Sequence, residues 1–158
     1  MKIIVDTREK PHAIVQILRT FEENGIDYVK QKLNVGDYYN PDNPAVVVDR
    51  KQNLGEVASN LTSDRARFAR EAHRATESGL KLIVLIEHGE NVKTLTDVPE
   101  WRNPIRARHH EAISGRDLME QMLKMTRTHA VEWRFCDKSE TGKEIIKILC
   151  PEKSSSLR

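Results

Sequence analysis

The segment GDYYNPDNPAVVVDRK, residues 36–51, holds two short extended stretches on either side of a polar turn that contains two prolines. This pattern predicts a β-hairpin, because proline and asparagine favour the turn and the flanking aliphatic and aromatic residues favour strands. The second strand is apolar over residues 45–48 and then ends in Asp49, Arg50 and Lys51. An unpaired charge in a protein core is costly, so these three side chains either reach the surface or have partners.

Strands and helices are predicted on both sides of the hairpin. Short apolar or alternating runs indicate strands at residues 2–5, 26–33, 80–86 and 131–136. Helical periodicity indicates helices at residues 12–24, 53–78, 115–128 and 141–149. The second of these is predicted to break near Thr62, with Ser63 as the cap of its second segment. The predicted fold class is therefore α/β, with a mixed β-sheet flanked by α-helices.

The length of 158 residues indicates one domain, which we place at residues 1–150, followed by a disordered polar tail at 151–158. Charged residues make up 32% of the chain, and no apolar run approaches the length of a transmembrane helix. The amino terminus lacks the apolar segment of a signal peptide, and Cys136 and Cys150 have no zinc-site spacing. We therefore expect a protein that has no membrane anchor and that resides in the reducing cytoplasm of a bacterium or of a phage-infected host cell.

The charges are unevenly distributed along the chain. Residues 1–100 carry 14 Lys and Arg against 16 Asp and Glu, whereas residues 101–158 carry 12 against 8. This distribution suits a metal site beside an anion-binding surface, although modest asymmetry is common in proteins without either. The segment WRNPIRARHH, residues 101–110, combines three arginines with a tryptophan and no acid, so it is either a DNA contact or an ordinary exposed loop.

Asp37, Asp49 and Lys51 are the candidates for a catalytic centre. Alternation along the strand places Asp49 and Lys51 on one face, and the hairpin folds Asp37 back towards Asp49. Two converging carboxylates repel each other unless a cation lies between them, and Mg²⁺ usually takes one or two carboxylates with water and phosphate oxygens. A neighbouring lysine can orient water or neutralise developing negative charge in phosphodiester hydrolysis. A surface salt bridge at the end of a strand gives the same pattern.

Several motifs in a fixed order resemble the nuclease domain of the XPF family, which belongs to the PD-(D/E)XK class of nucleases. They are VDTRE at 5–9, GDY at 36–38, VVVDRK at 46–51, RARFAREAHRA at 65–75 and KLIVLIE at 81–87. The resemblance implies a restriction-endonuclease-like fold and a divalent-metal-dependent endodeoxyribonuclease that uses Mg²⁺ or Mn²⁺. Without the helix–hairpin–helix module of many members, the sequence is similar to the stand-alone versions of phages and prophages.

The resemblance also implies roles for individual residues, taken position by position. The implied metal ligands are Asp6, Asp37 and Asp49. The implied catalytic residues are Asp37, Asp49, Lys51 and Arg50. The implied DNA-binding residues are Arg8, Arg50, Arg65 and Arg67.

Two departures from the family pattern leave alternatives open. Asp49 stands where the family most often has glutamate, and the family's downstream acid would fall on Gly55, one residue before Glu56. Glu56 either reaches the site or is a solvated helix residue.

The roles of two further acids also stay open at this stage. Asp6 is either a metal-site acid or a turn-forming aspartate after the first strand. Glu9 either helps the metal site or pairs with a nearby arginine, either Arg8 or Arg50.

The predicted function is hydrolysis of DNA at branched or junction structures, in recombination, repair or phage genome processing. The expected partners are such DNA and a second subunit, in a homodimer or a heterodimer. Two alternatives remain at this stage. One is a catalytically silent DNA-binding or scaffolding subunit of the same fold, and the other is a nuclease that acts on linear ends or on specific duplex sites.

Overall fold

The computed structural model describes residues 1–88 and 91–158. Within these residues six strands form one sheet: β1 (Lys2–Val5), β2 (Asp27–Lys30), β3 (Tyr38–Tyr39), β4 (Val46–Lys51), β5 (Lys81–Glu87) and β6 (Glu132–Cys136). The same part of the chain contains five α-helices: α1 (Val15–Glu23), α2 (Leu54–Leu61), α3 (Arg65–Glu77), α4 (Gly115–His129) and α5 (Thr141–Leu149). The predicted mixed sheet flanked by helices is confirmed.

The strand order in the sheet is β2-β1-β3-β4-β5-β6. The predicted hairpin is the antiparallel pair β3 and β4, in which Tyr38 lies opposite Val48. The β1 strand pairs antiparallel with β3 and parallel with β2, and β4, β5 and β6 are parallel to one another. The carboxyl ends of β1, β4 and β5 therefore meet at one edge of the sheet, beside the amino end of β3.

Each face of the sheet is covered by its own apolar core. One core includes Leu54 of α2, Phe68 of α3 and Met122 of α4, and the other includes Phe21 of α1 and Ile145 of α5. The nearly continuous apolar run of β5 is explained by this arrangement, because alternate side chains along a strand enter opposite cores. The two cores hold β4 rigidly from both sides, up to the charged residues at its end.

Three details differ from the sequence-based expectations. The first helix begins with a 3₁₀ turn at Pro11–Ala13 before α1. Ser63 does not cap α3, since Asp64 takes the cap position and the Ser63 hydroxyl donates a hydrogen bond to the Ser59 carbonyl over 3.4 Å. The tail expected to be disordered forms a 3₁₀ helix at Pro151–Ser156, after which Leu157 packs against the core of α1 and α5.

None of the helices in the described residues is both long enough and apolar enough to cross a lipid bilayer.

Candidate active site

The carboxyl end of β4 carries the three charged residues that follow its apolar run. Asp49 and Lys51 share one face of the strand, and Lys51 Nζ lies 2.9 Å from Asp49 Oδ2. The Lys51 side chain is largely buried, with its ammonium 6.0 Å from the centre of the Phe68 ring on α3. Burial acts to lower the pKa of Lys51, but the negative charges of Asp49 and its neighbours outweigh burial and raise it. Lys51 is therefore a cation at neutral pH.

Asp37 reaches the same place from the start of β3. Its backbone amide donates to the Val48 carbonyl over 2.8 Å, and its Oδ2 accepts from the Arg50 amide over 2.7 Å. Burial raises the pKa of Asp37 well above its usual value, and the negative charges of Asp49 and Glu9 raise it further. The hairpin therefore brings the Asp37 and Asp49 carboxylates together, as the sequence predicts.

The turn before Asp37 requires glycine. Gly36 has a φ of 68°, in the left-handed region. A Cβ atom at this position would lie 2.6 Å from Val47 Cγ2 and 2.9 Å from the Val48 carbonyl oxygen. The backbone of Gly36 thus packs directly on β4, immediately before Asp37.

The carboxylate pair fits a hard divalent cation. Apart from the Lys51 ion pair, Asp49 Oδ2 is a buried oxygen that accepts no hydrogen bond within residues 1–88 and 91–158. Asp37 beside it gains from any positive charge that offsets the repulsion between the two acids. No group of three or more His, Cys, Asp and Glu side chains in the described part of the chain is arranged around one metal position. Two carboxylates with water and phosphate oxygens are the usual surroundings of Mg²⁺.

Arg50 lies on the opposite face of β4 and is buried in an ion-pair network. Its guanidinium donates to both carboxylate oxygens of Glu9, over 2.7 and 2.9 Å, and to Glu87 Oε1 over 3.1 Å. Tyr38 also donates to Glu9, over 2.8 Å, and Thr141 donates to Glu87 over 3.1 Å. The Arg50 side chain is 3% exposed. In this structure Arg50 braces the end of β4 and offers no surface to a DNA phosphate.

The Asp6 side chain is hydrogen-bonded to groups outside the Asp37–Asp49 pair. It is fully buried, and its side chain accepts from Arg8 Nε over 2.6 Å and from the Leu33 amide over 3.4 Å. Its backbone amide donates to the Asp37 carbonyl over 2.8 Å. The structure therefore places Asp6 beside the site, where it pairs with the exposed guanidinium of Arg8. Its role as a metal ligand stays a prediction.

Glu71 of α3 is part of the site, and the sequence analysis did not identify it. Its Oε1 accepts a hydrogen bond of 2.9 Å from the Gly36 amide. Its negative charge contributes to the raised pKa values of Lys51 and Arg8. The one signal in the sequence is that Glu71 lies next to the apolar stripe of α3, three residues after Phe68 and beside Ala72.

Glu56 has a local structural role. Its Oε2 accepts from the Gln52 amide, and its own amide donates to Asn53 Oδ1, each over 2.9 Å. This arrangement caps the amino terminus of α2. Glu56 is thus a capping residue at the exposed start of α2, and its alternative role at the metal site stays a prediction.

The remaining predicted contacts lie on the surface around the start of α3. Arg65 donates to Gln121 over 2.8 Å, and Arg67 lies 3.8 Å from Asp64. Both side chains are exposed and can turn towards a polyanion. Trp101 is half-buried and packs against the core of α2, α3 and α4, so the loop at 101–110 presents its arginines to solvent rather than its indole ring.

Comparisons with known proteins agree with this architecture. The sequence model of the ERCC4 domain matches residues 5–149. The structure is similar to XPF from Aeropyrum pernix in complex with DNA, with 21% identity and a TM-score of 0.66, over 98% of this chain and 66% of that one. It is also similar to a second structure of XPF from Aeropyrum pernix, with 20% identity and a TM-score of 0.65, over 100% of this chain and 66% of that one. This chain thus spans just under two thirds of the length of each of these two chains. No curated protein matches the sequence.

Proposed function

This chain belongs to the ERCC4 domain family, and we propose that it is a divalent-metal-dependent DNA endonuclease that hydrolyses phosphodiester bonds. One observation carries the proposal. Asp37, Asp49 and Lys51 converge at the end of the β3–β4 hairpin, where the buried Asp49 Oδ2 has the Lys51 ammonium at 2.9 Å and the Asp37 carboxyl close by. A surface salt bridge at a strand end would not bring a second carboxylate into that position.

The roles of the three residues follow from their chemistry. Asp37 and Asp49 would hold Mg²⁺ or Mn²⁺, which when bound acts as a Lewis acid on the phosphate and lowers the pKa of water. Lys51 is protonated at neutral pH, so it can donate hydrogen bonds to a water molecule or to a phosphate oxygen, and it is not a base in its resting state. Its positive charge would stabilise the transition state more than the ground state, because negative charge develops on the phosphate oxygens there.

The proposed substrate is DNA, and the proposed preference is for branched structures or junctions of single-stranded and duplex DNA. Arg8, Arg65 and Arg67 are exposed cations near the site, and such side chains supply sequence-independent affinity for phosphates. One structural neighbour is described as a complex with DNA, which supports the same substrate class. Recombination, repair and phage genome processing generate junctions of this kind, and pairing with a second subunit belongs to the same proposal.

A cleavage assay on labelled flap, fork, nicked and linear DNA, in Mg²⁺ or Mn²⁺ and in EDTA, tests the proposal. We expect cuts near the junction, only with the metal, and none with Asp49→Asn. Cleavage in EDTA would contradict the role of the two carboxylates. Cleavage of linear ends alone would favour an end-directed nuclease. DNA binding without cleavage by the unaltered chain in either metal would identify a silent subunit.

A further inference from the structure

A basic cleft lies beside the site, between the loop that precedes Gly36 and the carboxyl-terminal part of α3. Its volume is about 400 Å³, and its charged lining consists of Arg8, Lys32, Arg74 and Glu77. A volume of this order is enough for a small polar group such as one nucleotide. The other walls are formed largely by the backbone and side chains of residues 33–35.

Two guanidinium groups of the cleft are held in place by consecutive carbonyl groups of the loop. Arg8 donates to the Leu33 carbonyl over 2.9 Å, and Arg74 donates to the Asn34 carbonyl over 3.4 Å. A guanidinium has five N–H donors, so each arginine keeps donors for a further acceptor. Lys32 adds a third cation from the same loop. The two guanidinium groups are therefore positioned before any ligand arrives.

The charge balance of the cleft favours an anion. The lining holds three cations and one carboxylate, Glu77, which lies 3.4 Å from His73 one turn earlier in α3, and the charge of Glu71 also acts on Arg8. Arg8 is also paired with Asp6 on the side towards the catalytic centre. Lys32 and Arg74 are exposed, and no acidic partner is recorded for either among the described residues. An anion with several oxygens suits this arrangement because arginine binds phosphate through two parallel hydrogen bonds.

The cleft is directly connected to the candidate active site. Residues 33–35 lead into Gly36 and Asp37, and the Leu33 amide contacts Asp6. On the helix side, Glu71 holds Gly36, and Arg74 follows three residues later, about 4.5 Å further along the axis at the usual helical rise. A chain of phosphates that places one member at Asp37 and Asp49 can therefore place a neighbouring one in the cleft.

We infer that this cleft is a binding site for a backbone phosphate of the DNA strand that is cut, on one side of the scissile phosphate, with Arg8, Lys32 and Arg74 as its ligands. The inference rests on the proposed nuclease function, which supplies the DNA. It also gives the path of the bound strand over the protein surface, from the carboxylate pair across the Gly36 loop towards the carboxyl end of α3.

The test compares Lys32→Ala/Arg74→Ala with a matched control, Lys2→Ala/Arg19→Ala, which also removes one exposed lysine and one exposed arginine. Lys2 lies at the amino end of β1, at the far end of that strand from Asp6. Binding of a fluorescently labelled flap DNA is measured by anisotropy in EDTA over a range of salt concentrations. We expect the salt slope to fall by about one for each lost phosphate contact in the cleft variant, with the slope of the control unchanged.

Neutral methylphosphonate linkages, placed one at a time near the cleavage position, locate the contact. One or two positions should weaken binding to the wild-type protein and have a much smaller effect on the cleft variant, in which only Arg8 remains; such non-additivity is the signature of a direct pair in a double-mutant cycle. Equal salt slopes for both variants, or additive effects at every linkage, would overturn the inference. Both readouts measure binding and need no cleavage. If the salt slope and the methylphosphonate effects are as expected but the protein cuts no DNA, only the proposed nuclease function is refuted. An active nuclease with unchanged slopes would refute the cleft alone.

Discussion

Gly36 and Glu71 are 35 residues apart in the sequence, and a hydrogen bond of 2.9 Å joins the Gly36 amide to Glu71 Oε1. This bond ties α3 to the residue immediately before Asp37. The buried amide of Gly36 thereby has an acceptor, and the position of Asp37 depends on a helix that the family resemblance connects with DNA rather than with the metal.

Glu71→Gln should retain the hydrogen bond to Gly36, since the amide oxygen of glutamine is an acceptor, and should retain most of the cleavage activity. Glu71→Ala leaves a buried amide unpaired and allows Asp37 to move, and displacements of about 1 Å can lower rates by about 100-fold. Rates at several Mg²⁺ concentrations compare the two variants, with Glu23→Ala, which removes an exposed glutamate of α1, as the control. An equal loss in both Glu71 variants would show that its charge, not its hydrogen bond, matters.

Gly36→Ala should destabilise the protein and reduce cleavage. The added methyl group meets Val47 and Val48 in a backbone conformation that L-residues avoid, and overpacking of this kind costs about 1–3 kcal/mol. Gly25→Ala is the matched control, because Gly25 has a φ of 66° and no atom within 4 Å of the added position. Denaturant unfolding measures the difference between the two. Equal destabilisation would mean that the contact with β4 has no effect beyond the backbone strain.

Lys51→Ala should stay folded and bind DNA, with a loss of stability because Asp49 loses its buried ion-pair partner, while cleavage falls by about 100-fold or more, the scale for the loss of one group that stabilises a transition state. Lys81→Ala is the control, since Lys81 also forms an ion pair but lies at the opposite end of the sheet, beside Val46. Single-turnover rates in Mg²⁺ compare them. Full activity in Lys51→Ala would refute the proposed role.

Asp37→Asn should stabilise the metal-free protein increasingly as the pH rises. Burial and the charges of Asp49 and Glu9 raise the pKa of Asp37, so above about pH 4 the unfolded chain releases this proton while the folded protein resists ionisation. The wild-type protein therefore loses stability with rising pH relative to the asparagine variant. Thermal melts in EDTA between about pH 4 and pH 8 measure the difference. A constant difference over this range would contradict the expected repulsion, and added Mg²⁺ should stabilise the wild type only.

Arg50→Met should lower the free energy of unfolding by about 3–5 kcal/mol, because it leaves Glu9 and Glu87 as buried, unpaired carboxylates. Arg134→Met is the control, as it removes an arginine from the exposed pair with Glu132 and should cost no more than about 1 kcal/mol. Urea unfolding of both variants measures this. Equal, small effects would mean that the Arg50 network does not hold the end of β4.

The sequence predicted those parts of the site that depend on neighbouring residues. Strand alternation placed Asp49 and Lys51 on one face, and the turn residues predicted the hairpin that returns Asp37 to Asp49. The pairing of Glu9 with Arg50 was one of the alternatives that the sequence left open, and the structure selects it. The partner Glu87 could not be predicted, because the parallel pairing of β4 with β5 brings it beside Arg50.

Two further features became clear only from contacts in the folded chain. Glu56 caps the start of α2, where the sequence had left the metal site and a solvated helix face as alternatives. The tail forms a 3₁₀ helix because Leu157 finds an apolar core and the Arg158 amide finds Asn24. Asn24 lies 134 residues from Arg158 in the sequence, so this contact could not be predicted.

The sequence by itself determined the α/β architecture, the hairpin and the acidic and basic groups that converge at its end, because periods of two and 3.6 residues and turn chemistry are local properties. The tertiary structure alone decided which charges are buried and with which partners. It turned Arg50 inward to Glu9 and Glu87, brought Glu71 to Gly36, and set Arg8 and Arg74 on adjacent carbonyls of one loop. Such pairs join residues distant in the chain, and their energy depends on the packing of the whole sheet between its helices.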